Sequence, residues 1–193
     1  MEPENDAPRV LDARSLRGLA HPLRMQLLRA LRQNGPATAS KLAERLGESS
    51  GATSYHLRQL AEHGFIEDAP EHGKGRERWW RAAHMGVQFD DSLHKHPDPA
   101  VRGAADLFIH ETANFHTQEV ATYLGTTGDW SDEWNRSTDL SDMTLRLTPE
   151  LALDLITKMH ALVDSYQGEV PADGTPNAET VRVHTHLFPI HTD

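Results

Sequence analysis

The chain has 193 residues, with 19 Lys or Arg against 29 Asp or Glu and a net charge of −10 at pH 7. It contains no cysteine, which excludes disulfides, thiolate zinc sites and thiol-based redox or arsenic sensing. No apolar run approaches the roughly 20 residues needed to span a bilayer, and the opening MEPENDAPRV lacks the basic start and apolar stretch of a signal peptide, so a cytoplasmic chain with no membrane partner is expected.

The charge is unevenly divided. Residues 12–84 carry 12 Lys or Arg against 8 Asp or Glu, a net of +4, whereas residues 85–193 carry 6 against 18, a net of −12. The first stretch suits a polyanionic partner and the second is repelled by one.

In chain order, residues 1–11 read as a disordered tail. Asp12 suits the N-cap of a short helix to Ala20, and Pro22 the first turn of a second helix to about Gln33, with Leu23, Leu27, Leu28 and Leu31 on its inner face. Asn34, Gly35 and Pro36 stop it. A third helix opens at Thr38 or Ala39, with Leu42, Ala43 and Leu46 inward and Gly47 as its stop. A fourth follows almost at once, from about Ser50 to Glu62, with Thr53, Leu57, Leu60 and Ala61 inward and Ser54, Tyr55 and Arg58 outward. Phe65 and Ile66 begin a strand, Gly73 and Gly75 lie in a polar turn, and Arg76 to Ala82 reads as the returning strand of a hairpin.

Helix, tight turn, helix and basic hairpin together form a DNA-docking unit. The stretches LRGLAHPLRMQLLRAL, TASKLAERLGESSGATSYHLRQLAEHGFI and GKGRERWWRA resemble the ArsR-type winged helix-turn-helix regulators over about 70 residues. The most specific pieces are His21-Pro22-Leu23-Arg24, Ser54-Tyr55-His56-Leu57 followed by Leu60, and the Gly-Phe-Ile entry into the wing. That resemblance implies a usually dimeric, bacterial or archaeal regulator whose operator affinity responds to a ligand. The absence of Cys means that the thiol sensors' inducers do not carry over.

Base reading needs donors and acceptors on the exposed N-terminal face of the second helix of the pair, which nominates Ser50, Ser54, Tyr55 and Arg58. Arg58 suits either a guanine edge or a phosphate. Thr38 and Ser40 open the preceding helix, where backbone N–H groups and Lys41 favour a phosphate, although capping is the plainer role for Thr38. In the wing, Lys74, Arg76 and Arg78 offer positive charge to phosphate or minor groove, or simply solvate a hairpin. Trp79 and Trp80 face opposite ways, one toward the core and the other over a neighbouring helix. His21 and His56 read as structural, hydrogen-bonded histidines.

Beyond a polar connector at 85–97, a long helix is expected over 98–125, with Val101, Ala105, Phe108, Ile109, Phe115, Val120 and Leu124 on a broad apolar side that serves either a dimer contact or packing within the chain. Residues 126–193 read as a small effector or dimerisation domain: an alternating strand at Met143, Leu145 and Leu147, a helix opened by Thr148-Pro149, and a last alternating strand from Thr180 to Phe188. The fold class is therefore α+β, a winged helix-turn-helix followed by a long helix and a strand-helix-strand domain.

Thirteen histidines raise metal binding. His184 and His186, two apart on a strand, have workable spacing, but no HExxH pair occurs and scattered surface histidines are the plainer account. No cofactor is expected, and no nucleophile-base spacing or phosphate loop supports an enzyme. The sequence is thus read as a regulator of double-stranded DNA, a homodimeric repressor at a near-palindromic operator, using the 50–62 helix and the 69–80 wing. The alternatives are a metal- or small-molecule-responsive regulator, with an effector at the C-terminal His or aromatic residues, and a winged-helix module for protein contact.

Overall fold

The computed structural model describes residues 9–73, 77–84, 86–169, 171–172 and 174–191. The chain divides into two compact units, residues 1–121 and 122–193.

In the first unit, α1 (Ala13–Leu19) starts where Asp12 and Ser15 cap each other: Ser15 N–H donates to the Asp12 carboxylate at 2.7 Å and Asp12 N–H to the Ser15 hydroxyl at 2.9 Å. α2 (Pro22–Asn34) follows with proline in its first turn and ends at Gly35, whose φ of 73° suits a residue without Cβ. After the short strand β2 (Ala37–Thr38) come α3 (Ala39–Leu46) and α4 (Ser50–Glu62). The strands β3 (Ile66–Asp68) and β4 (Trp79–Ala82) form the wing hairpin, with Ile66 opposite Ala82 and Asp68 opposite Trp80. β2 adds to the other edge of β4, so the antiparallel sheet runs β2-β4-β3 and ties the helices to the wing.

The inward leucines foreseen by helical spacing do meet: Leu27, Leu42, Leu57 and Leu60 are buried, together with Leu16, around Phe65 and Ile66, in one core that Trp80 closes from the sheet. Each buried leucine contributes about 1.5–3 kcal/mol, so this cluster supplies the main stabilisation of the unit. α1 approaches the end of α4 so closely that a Cβ on Gly18 would collide with the His63 ring.

Two linking segments are more structured than their polar composition implies. The expected tail of 1–11 gives way at its end to β1 (Arg9–Val10), which pairs in parallel with β5 (Val87–Gln88) and brings Leu11 into the core; residues 1–8 lie outside the described residues. The 85–97 connector holds β5 and a 3-10 turn at Asp91–Lys95, pinned by buried Leu93. A few apolar residues, Leu11, Val87 and Leu93, are enough to dock chain that local propensity leaves undecided.

The long helix is present as α5 (Pro99–Gly125). Val101, Ala105 and Phe108 pack into the core of the first unit, and Arg17 pairs with Asp98 at its start, while Ile109 stays exposed. Its apolar side therefore serves packing within the chain over its first three turns.

The second unit contains α6 (Asp132–Arg136) and α7 (Pro149–Ser165), the latter capped by Thr148 as expected. The flanking segments differ from the strand-helix-strand reading, because residues 143–147 and 180–188 belong to no sheet of the described chain. Alternation creates a one-sided apolar segment, but a ladder also needs a partner edge at hydrogen-bonding distance. The α+β class rests on the first unit's helices and two small sheets.

Candidate nucleic-acid interface

The interface is built from the α3–α4 pair and the wing. α3 ends at Gly47, whose left-handed backbone (φ 68°, ψ 27°) reverses the chain within three residues, and Ser49 then caps α4 by accepting from Ala52 N–H at 3.2 Å. On α4, Thr53, Leu57 and Leu60 are fully buried, which fixes the rotation of the helix about its axis. Ser50, Tyr55 and Arg58 are consequently exposed, and Ser54 lies half-buried beside them. The exposure of Tyr55, 55%, is large for an aromatic side chain on a helix otherwise anchored in the core.

Thr38 takes the capping role, the plainer of the two expected for it. Its side chain is buried and its hydroxyl accepts from Lys41 N–H at 3.3 Å, so it caps α3 and has no face toward solvent. Ser40 and Lys41 are exposed at the same helix start; Ser40 reaches Glu77 at 3.5 Å, and the Lys41 ammonium lies 4.4 Å from the Trp79 ring centroid. Trp80 is the buried member of the tryptophan pair and Trp79 the one lying under α3.

In the wing, Arg78 is held rather than free. It bonds both carboxylate oxygens of Asp68 and lies 4.0 Å from the Trp80 ring centroid. Hydrogen bonding from Arg78 holds the Asp68 carboxyl below the usual carboxylate range. Arg81 is similarly engaged by Glu67 at 2.8 Å and Glu71 at 3.1 Å. Lys74 and Arg76 lie outside the described residues.

A polar cluster that spacing did not assemble sits behind the helix. His21 caps α2 through Nδ1, which accepts from Leu23 N–H at 3.2 Å, and its ring centroid is 4.4 Å from that of His56 on α4. The His56 ring in turn meets Tyr55 at 5.1 Å. Burial, reinforced by Arg24, pushes both imidazoles below the ordinary histidine range, so both rings are neutral near pH 7. His56 Nδ1 and Arg24 Nε are buried without hydrogen-bond partners. The signal lay in the two motifs His21-Pro22-Leu23-Arg24 and Ser54-Tyr55-His56-Leu57, whose histidines meet only when α2 crosses α4.

His184 and His186 lie in the second unit with ring centroids 6.3 Å apart, on a segment that is not a strand. Among the described residues no helix is long and apolar enough to cross a membrane.

A short turn between two helices, a recognition helix with a polar outer face and a three-stranded sheet carrying a hairpin define a winged helix-turn-helix. Residues 19–69 match the family model described as a helix-turn-helix domain. No curated protein matches the chain. Solved structures similar to it include reduced HlyU from Vibrio cholerae, 21% identical over 48% of this chain and 78% of that one, with a TM-score of 0.31. The transcriptional repressor BigR from Xylella fastidiosa is 20% identical over 53% of this chain and 84% of its own, with a TM-score of 0.33. The homodimeric winged helix-turn-helix DNA-binding domain of Mb0332 from Mycobacterium bovis, a possible ArsR-family regulator, is 22% identical over 55% of this chain and 82% of its own, with a TM-score of 0.36.

Proposed function

We propose that the protein is a dimeric repressor that binds a near-palindromic operator, placing α4 in the major groove and the wing against the flanking backbone. The observation that carries this reading is the division of α4 into a fully buried face, Thr53, Leu57 and Leu60, and an outer face where Tyr55 and Arg58 project without any salt bridge to the rest of the described chain. Arg58 reads a guanine edge or holds a phosphate, Ser50, Ser54 and Tyr55 contact bases or sugars near the helix start, and Ser40 with Lys41 contacts a phosphate at the start of α3. Lys74 and Arg76 add phosphate or minor-groove contacts from the wing, and Arg78 adds one only when released from Asp68. The net +4 of residues 12–84 supports this placement, and the −12 of the remainder keeps the other half away from the duplex. Two copies related by a twofold axis set their α4 helices on half-sites about one helical turn, roughly 34–36 Å, apart.

The test is fluorescence anisotropy with duplex DNA from upstream of the protein's own gene, across a salt series, for the wild type and Arg58→Ala. Expected is a dissociation constant on the order of 10⁻⁸ M that weakens steeply with salt, and a clear loss for the variant. A wild type that ignores both this DNA and random duplexes at low salt overturns the reading and favours a protein-contact module.

A further inference from the structure

His21 and His56 contact no DNA in the reading above, yet they stand directly behind the helix that does. His56 lies between the buried face of α4, with Thr53, Leu57 and Leu60, and its exposed face, where the Tyr55 ring meets it edge-on. From α2 the His21 ring comes within 4.4 Å of the His56 ring, centroid to centroid.

The His21 imidazole also has a structural task that needs it neutral. It is the N-cap of α2, with extended backbone (φ −155°, ψ 130°) and Nδ1 accepting from Leu23 N–H at 3.2 Å. An imidazole that accepts at Nδ1 carries its one proton at Nε2, so a second proton must go to Nδ1. Protonation therefore removes the acceptor that caps the helix and sets a positive charge at the positive end of the helix dipole.

His56 resists a second proton for a different reason. Its Nδ1 is buried without a hydrogen-bond partner, and the imidazolium form would hold an N–H there with nothing to accept it. The charged groups around the pair add to this. Arg24, in the first turns of α2, acts on both rings, and its guanidinium is held in place by donating from Nη2 to the Arg17 carbonyl of α1 at 3.0 Å. The Arg17 guanidinium is itself engaged by Asp98 at the start of α5. Glu48, exposed in the turn before α4, is the carboxylate that favours a proton on His56. It stands against burial, the neighbouring imidazole and Arg24 together.

We propose that the His21–His56 pair is an acid-sensitive latch on α4: protonating it uncaps α2, parts the first turn of α2 from α4, and weakens DNA binding. This rests on the reading of α4 as the DNA-reading helix and adds its regulation. Both histidines are positioning residues, acting through Tyr55 and the seat of α4. The sign is opposite to the ordinary one, because protonated surface histidines add positive charge and strengthen attraction to phosphate. The effect is modest, since Leu57 and Leu60 keep α4 anchored in the core; the loss of one N-cap, about fivefold in an equilibrium, sets its scale.

The experiment uses the full chain, the wild type beside a His21→Asn/His56→Gln double variant. Asparagine keeps an N-cap acceptor, glutamine keeps a neutral polar side chain, and neither titrates. Anisotropy on the upstream duplex, at constant ionic strength, should show wild-type affinity falling about fivefold between about pH 7.5 and about pH 5.5, with the circular dichroism of the folded chain unchanged. The double variant should hold its affinity or gain some. Without DNA, NMR should show the Leu23 amide losing protection from exchange as the His21 and His56 rings titrate, in the wild type and not in the variant. Wild-type affinity that stays level or rises on acidification overturns the proposal, as does a variant that falls equally, or a loss that appears only with global unfolding. If the wild type ignores every duplex at every pH, the DNA reading falls, and the Leu23 amide alone judges the latch. Protection lost with ring titration in the wild type upholds it, and protection independent of ring titration overturns it.

Discussion

Replacing Asp68 with asparagine should tighten DNA binding, and the structure sets how much. Asp68 takes both bonds from the Arg78 guanidinium, and the two side chains are about half exposed, 50% and 55%. An exposed pair of this kind contributes about 0.2–1 kcal/mol, so Asp68→Asn costs the fold at most about 1 kcal/mol, a fall in melting temperature of no more than about 4 °C for a unit of this size. The same change removes one negative charge from the wing and releases Arg78, which stays stacked near Trp80. If the wing lies along the DNA backbone, one further counterion is displaced, and the slope of log affinity against log salt steepens by about 0.9. The affinity of the variant relative to the wild type should then grow about threefold for each fourfold dilution of salt. Anisotropy titrations of both proteins on one duplex over a salt series give this ratio directly. Parallel salt plots for two folded proteins would refute the placement of Arg78 at a phosphate, whatever the absolute affinities.

Stability should depend on pH through the histidines behind α4. Burial holds His21, His56 and His84 below the ordinary histidine value of about 6.5, so the folded chain binds fewer protons than the unfolded one once the pH falls below that value. The stabilisation is therefore complete above about pH 6.5 and lost progressively below it, well before the carboxylates of Asp12 and Asp68, lowered from 3.8, begin to protonate. Urea midpoints on either side of this range should fall on acidification in the wild type and fall less in His56→Gln; a midpoint independent of pH speaks against neutral buried rings. Thr53→Val should be neutral or stabilising by about 1 kcal/mol, because the Thr53 hydroxyl is buried without a partner and its removal deletes a desolvated polar group. Chemical denaturation measures this, and a loss above about 1 kcal/mol would show that the hydroxyl makes a stabilising contact.

Much of the first unit was legible along the chain because its determinants are local. Helical spacing placed Leu23, Leu27, Leu57 and Leu60 inward, Gly47 marked the turn, and the inward face of α4 dictated that Tyr55 and Arg58 point out. Side-chain commitments were not legible. Arg78 has the chemistry of a phosphate ligand, yet it is paired with a carboxylate across the hairpin, a partner that only the register of β3 on β4 brings to it. The same holds for His21 and His56, which are 35 positions apart in sequence and meet because α2 crosses α4. Arg9 and Val10 become a strand only because residues 87–88 supply an edge. The alternation of 143–147 and 180–188 names an apolar side but not a partner, since period-2 patterning specifies which way side chains point and leaves strand pairing to non-local hydrogen bonds. The sequence by itself thus determined the elements and their inner faces, through short-range spacing and capping. Tertiary structure decided which charges remain available to a ligand and which segments find an edge, because both depend on residues brought together from distant parts of the chain.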